Sequence, residues 1–157
     1  MFKRILVAID GSSYSAYALP DAVEIARTFK SEVFVLHVRE REVGRAGAFP
    51  LETMPEADQI VAAAVKSISS AGVPAIGEVQ AATYGRAAKH IVETTKAREC
   101  DLIIMGSRGL SEIAGLMLGS VTHKVLQLAH VPVLVARGPE AKAAGELVGA
   151  GQLTASS

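Results

Sequence analysis

Five short runs of branched and other apolar residues recur along this chain: Ile5 to Ile9, Val33 to Val38, Ala75 to Ala81, Leu102 to Met105 and Val131 to Ala136. Segments of helical periodicity separate them, and this alternation is the strongest constraint on the fold. It favours an α/β architecture in which a parallel sheet carries helices on both faces. The runs are apolar almost throughout, as strands buried on both sides must be. Two of them differ. Gly77-Glu78-Val79-Gln80 alternates like a half-exposed edge, and Pro132 in the fifth run lacks the N–H of a ladder bond, which suits an edge or a strand start. A five-stranded sheet ordered 3-2-1-4-5, counting runs along the chain, puts both outermost. Its order then reverses between the first and fourth runs, and ligands bind at such switch points, outside the carboxyl ends of the strands.

Ala18, Leu19, Ala22, Val23, Ala26 and Phe29 trace one face of a first helix, with Ser12 or Ser13 as N-cap and Pro20 expected to kink it or delay its start. A second helix is predicted from about Glu56 to Ala71, with Ile60, Ala63, Ala64 and Ile68 on its apolar side, stopping at Gly72 before Pro74. A third spans about Arg86 to Arg98 (Ala87, Ile91 and Thr94 to one side). A fourth runs from Ser120 to Ala129, with Val121, Val125, Leu128 and Ala129 inward. Arg39 to Pro55, with its Arg-Glu-Arg-Glu, two glycines and two prolines, reads as a long, mobile loop. Residues 138–157 read as a frayed tail.

With 157 residues, half of them apolar, the chain suits one globular domain over residues 1–137. Sixteen basic and sixteen acidic residues cancel, so nothing favours broad attraction to nucleic acid or to an anionic membrane, and any phosphate recognition must be local. A single cysteine, Cys100, makes no internal disulfide, and it is expected to pack. No run reaches the length of a membrane span, and the residues before Asp10 are too few for a secretory leader, so a cytoplasmic protein is expected.

The chemistry concentrates after the fourth run. Gly106-Ser107-Arg108-Gly109 follows it directly, and nine residues later Gly119-Ser120 opens the fourth helix. Glycines let a backbone approach a ligand closely. The following helix start supplies unpaired N–H groups and a partial positive charge, which together suit a phosphate. Other nucleotide and catalytic signatures are missing from the sequence: there is no Gly-x4-Gly-Lys-Ser/Thr, the sole Gly-x-Gly (Gly149-Ala150-Gly151) follows no strand, and neither Gly-x-Ser-x-Gly nor His-Glu-x2-His occurs. Without an evident base or arginine clamp, binding is easier to defend than phosphoryl transfer.

Three motifs together, Val7-Ala8-Ile9-Asp10-Gly11-Ser12, Leu36-His37-Val38 and Gly106-x2-Gly109-x9-Gly119-Ser120, resemble the nucleotide-binding branch of the universal stress protein family over residues 3 to 137. The resemblance implies a flavodoxin-like five-stranded sheet, ATP at the switch point and homodimers through the last strand, Val131 to Ala136. It implies that Ile9 and Val38 flank adenine, that Met105 and Gly106 meet the ribose, and that Gly109, Gly119, Ser120, Val121 and Thr122 surround the phosphates. Asp10 would lie beside ribose or triphosphate and help hold Mg²⁺ or Mn²⁺. Gly11 and Ser12 belong to the same strand end and are counted with the site, as is Arg108, placed between the motif glycines where it can neutralise phosphate or stay solvated.

Plainer readings stand beside these. Asp10-Gly11 is also a turn signal, and Ser120 is also a plain N-cap. His37 reads as a hydrogen-bonded core histidine. His123 and Lys124 lie one turn into the fourth helix, at the surface by default, or within reach of a phosphate or of a partner subunit. Leu110, Ile113, Leu116, Met117 and Leu118 form an apolar stretch that suits packing, a lid or a partner. The leading functional expectation is an ATP-dependent regulatory module that alters partner engagement. A slow ATP hydrolase and a nucleotide-independent dimerising protein are the alternatives.

Overall fold

The computed structural model describes residues 1–44, 47–50, 52–108 and 118–138. Strand β1 (Arg4–Ile9) lies at the centre of the sheet, between β2 (Glu32–Gly44) and β5 (Leu102–Gly106), and every residue from Ile5 to Ile9 is buried. Strand β4 (Ala75–Thr83) pairs with β2 and β6 (Val133–Ala136) with β5, all in parallel. The five parallel strands are thus ordered β4-β2-β1-β5-β6, the 3-2-1-4-5 arrangement expected from the runs.

A sixth strand was not foreseen. Arg39 to Pro55 is no loop: β2 continues to Gly44, and β3 (Gly47–Pro50) returns antiparallel to it, from Arg41 opposite Pro50 to Gly44 opposite Gly47. The hairpin projects past the end of β1, whose pairing with β2 stops at Ile9 and His37. Strand β6 also starts later than expected. Pro132 stays outside it and contributes only its carbonyl, which accepts from the Ile103 N–H at 3.0 Å.

Each face of the sheet has its own apolar layer. On one face Ile5, Val7, Val33, Val35 and Ile104 pack under α2 (Ala18–Phe29) and α3 (Met54–Ser70). On the other Leu6, Leu36, Ile103 and Met105 pack under α4 (Ala87–Ala97) and α5 (Ser120–Leu128). Pro20 delays the first helix as expected: a single turn, α1 (Ser13–Ala16), is capped by Ser12, and α2 restarts at Ala18 with Pro20 in its first turn, where a missing N–H costs little. Helix α3 begins two residues earlier than predicted, because Thr53 and Glu56 form a reciprocal capping box. Val61, not Ala63, lies on its buried side. In α5 Thr122 and Val125 are buried, whereas Leu128, expected inward, is 55 % exposed. At 3.6 residues per turn Leu128 falls roughly 90° from the middle of the Thr122–Val125–Ala129 face. The predicted tail lies outside the described residues, apart from Gly138, which packs against the Tyr17 ring.

Candidate functional site

At the carboxyl ends of β1, β2 and β5 the two helical layers part around a cavity of about 690 Å³. That volume lies within the roughly 300 to 1,000 Å³ of sites that hold small organic ligands. Its floor is apolar, formed by Ala8, Leu36, Val38, Ala88, Ile91 and Met105. Its rim divides by charge. Asp10, Glu40 and Glu52 line the side of β1 and β2, while Arg108, Lys124 and the start of α5 line the side of β5.

Asp10 has a structural task. Its Oδ1 accepts from the Ser12 N–H at 3.0 Å and from the Ser12 hydroxyl at 2.6 Å, and Ser12 in turn caps α1 through the Ser15 N–H at 3.1 Å. Gly11 turns the chain between them at φ +80°, a conformation that favours glycine. Gly106 serves a close approach of another kind. A Cβ there would lie 2.5 Å from the carbonyl oxygen of Tyr14, so only glycine lets α1 sit on the end of β5.

The start of α5 is held by backbone. The Gly119 N–H donates to the Ser107 carbonyl at 2.8 Å, the Thr122 hydroxyl donates to the Gly106 carbonyl at 2.9 Å, and the Ser107 N–H reaches Ala136 of β6 at 2.9 Å. Gly119, not Ser120, is the N-cap, and no side chain caps the helix. The first intrahelical bond runs from the His123 N–H to the Gly119 carbonyl, so the N–H groups of Ser120, Val121 and Thr122 precede the ladder at the cavity rim. Three donors and a helix dipole at one spot suit an anionic oxygen cluster. The Arg108 guanidinium rests 5.6 Å from the centre of the Tyr14 ring, a preset position at the same rim.

On the acidic side Glu40 accepts from the Ala87 N–H at 3.0 Å and so occupies the start of α4. His37, 2 % exposed, bridges two elements: its Nδ1 donates to the Ile9 carbonyl at 2.8 Å, and its Nε2 meets the Glu52 carboxylate. Arg39, also buried, donates to the Glu52 carbonyl at 2.7 Å.

The structure therefore brings Ile9, Asp10, Val38, Met105, Gly106, Arg108, Gly119, Ser120, Val121 and Thr122 around one cavity. Gly11 and Ser12 sit behind the lining, where they build the turn, and Gly109 lies outside the described residues. Sequence reasoning missed Glu40 and Glu52 because they sat in the supposed loop. The Thr53-Pro55-Glu56 capping signature was the signal that could have placed the chain just after Glu52. Among the described residues no cluster of three or more His, Cys, Asp or Glu side chains forms a metal site. A divalent ion here would need phosphate oxygens beside the Asp10 carboxylate.

The model of the universal stress protein family matches residues 1–137. The chain belongs to that family. Universal stress protein YxiE of Bacillus subtilis is 38 % identical over 148 residues, 87 % of this chain and 100 % of that protein. Among solved structures, hypothetical protein MJ0577 superposes with a TM-score of 0.74 at 23 % identity, covering 88 % of this chain and 97 % of the other, a likeness of fold. A universal stress protein in complex with cAMP matches with a TM-score of 0.62 at 25 % identity, covering 87 % and 97 %. Further universal stress proteins of this fold, from Archaeoglobus fulgidus and Arabidopsis thaliana, have been solved with dAMP and AMP. Within this universal stress protein chain, no helix among the described residues is long and apolar enough to cross a membrane.

Proposed function

We propose that this chain is an ATP-binding regulatory protein of the cytoplasm, whose nucleotide sits at the switch point between β1 and β5 and alters which protein partner is engaged. The observation that carries the reading is the chemical division of the cavity: an apolar slot, a carboxylate rim and, opposite, a cationic rim with a helix start. A nucleotide has the same three parts. Its base fits the apolar floor beside Ile9 and Val38, its sugar hydroxyls donate to carboxylates such as Asp10, and its phosphates accept from the N–H groups of Ser120 to Thr122, Arg108 and Lys124. The adenine nucleotides bound by related structures agree with that order. Mg²⁺ or Mn²⁺ would enter with the phosphates and take Asp10 as its protein ligand. The nucleotide-binding domain spans residues 1–137, with residues 138–157 as an appended tail.

The same chain is proposed to form a homodimer. Strand β6 ends the sheet among the described residues, Val133, Leu134 and Val135 on it are only half-buried, and α5, which packs on β6, exposes Leu126 and Leu128. An apolar edge of this kind is normally covered or paired. Light scattering over a dilution series is expected to give twice the chain mass, and the chain mass at every concentration would contradict it.

To test nucleotide binding, the purified protein is denatured and any released nucleotide identified by chromatography. ATP is then titrated into emptied protein with and without Mg²⁺. Saturable binding that strengthens with Mg²⁺, and loses that gain in Asp10→Asn, is expected. Multiple turnovers that Asp10→Asn abolishes would favour slow hydrolysis instead. Neither released nor titratable nucleotide would leave a dimerising interaction protein.

A further inference from the structure

We propose that Glu52 is a positioning residue of the cavity, acting through His37, and that a proton shared by the two latches the cavity's outer wall to the end of β1. The Ile9 carbonyl can only accept, so His37 Nδ1 carries a hydrogen. If that were the sole ring hydrogen and Glu52 were ionised, Nε2 and Oε1 would face each other lone pair to lone pair. The contact between them requires a hydrogen in between. It belongs either to a doubly protonated ring beside a carboxylate or to a glutamic acid donating to a neutral ring. In both cases the closed latch holds one proton more than a neutral imidazole and a carboxylate kept apart.

The latch is built into the wall. Glu52 lines the cavity, and its own carbonyl receives the buried Arg39. The next residue, Thr53, caps α3, with its N–H on Glu56 at 2.7 Å and its carbonyl taking the Ala57 N–H at 3.1 Å. Holding Glu52 therefore holds the entry to α3 against the strand end that carries Ile9 and Asp10. The charged groups around the latch are Asp10 on β1, Arg39 and Glu40 on β2 and Glu56 on α3, with Arg108 and Lys124 across the cavity. Opening releases the proton, so the closed state is favoured in acid and loses ground as pH rises, by at most about tenfold per pH unit for one proton.

This inference rests on the nucleotide reading of the same cavity, and its test separates the two. Amide-exchange protection at Thr53, Glu56 and Ala57 is measured in nucleotide-free protein from about pH 5 to about pH 8, corrected for the intrinsic exchange rate. The affinity for cAMP, a phosphodiester that does not titrate in this range, is measured alongside. Wild-type protection and cAMP affinity are expected to fall together, each severalfold, as pH rises. Glu52→Gln, whose amide donates to neutral Nε2 without titrating, is expected to show neither dependence. Protection independent of pH, or an equal slope in Glu52→Gln, would overturn the latch. An unchanged cAMP affinity alongside changing protection would overturn its control of the cavity. Changing protection with no cAMP binding at any pH would support the latch and refute the nucleotide reading instead.

Discussion

The two ends of the parallel sheet solve opposite problems. At the amino end, side chains tie the strand starts to their neighbours: Asp101 accepts from the Lys3 N–H at 2.6 Å and the Arg4 N–H at 3.0 Å, the Ser31 hydroxyl donates to the Phe2 carbonyl at 2.6 Å, and the Arg98 guanidinium lies 4.2 Å from the centre of the Phe34 ring. At the carboxyl end the helices start away from the strands, the backbone turns on Gly11, and a cavity remains. The difference is one of direction. A right-handed strand-to-helix connection brings the start of α5, whose first N–H groups no side chain caps, to the carboxyl end, where an anion is stabilised. The amino end meets helix ends, and only a smaller hollow of about 310 Å³, beside Arg4, Phe34, Pro74 and Arg98, remains there.

Changes at the carboxyl end should break function or the packing that shapes it, and changes at the amino end should alter stability alone. The largest effect is expected for Gly106→Ala. Its Cβ would press on the Tyr14 carbonyl, a backbone atom that cannot step aside, and overpacking of this kind costs about 3 kcal/mol in urea unfolding. Ser120→Pro is the sharper tool. Gly119 has φ −70° and ψ 155°, the conformation that precedes proline, and position N1 needs no N–H for the helix. It should leave urea stability near wild type while weakening AMP about tenfold or more, the worth of one charge-assisted bond of about 1.5 kcal/mol or more.

At the amino end Asp101→Ala should cost about 1 kcal/mol with AMP affinity unchanged, since the lost bonds lie near solvent. Hydrogen bonds from the Arg4 and then the Lys3 N–H hold the Asp101 carboxyl below the usual carboxylate range. Its stabilisation is therefore complete above that range and lost as pH falls through the depressed value, so the gap between wild type and Asp101→Ala should close in acid. Cys100 gives a smaller signal. Burial, and next the Asp101 charge, raise its thiol to about 11, so a thiol reagent should label native protein slowly at neutral pH and label it quickly in denaturant. Smallest is Lys30→Gly. Lys30 ends α2 at φ +55°, and glycine there should add about 0.5 to 1 kcal/mol.

The sheet was legible because its strands are apolar on both faces: Ile5 to Ile9 and Leu102 to Met105 leave no other role for such residues. The glycine motif was legible because a strand, a close approach and a helix start come in that order. What escaped was the far half of β2. The buried position there is filled by Arg39, satisfied by the Glu52 carbonyl, and a strand with a charged residue turned inward reads as a loop until its partner is known. The roles of Gly106 and Thr122 in seating α1 and α5 also depend on contacts between distant segments, which periodicity does not encode.

The most direct measurement is a titration of AMP into ¹⁵N-labelled protein, followed amide by amide. Saturable shifts are expected at Val38, Met105 and Ser120 to Thr122 at the carboxyl end, with the amides of Arg4, Ala75 and Asp101 at the amino end unmoved. Shifts centred on the amino end, or none at saturating AMP, would contradict a nucleotide site at the carboxyl end.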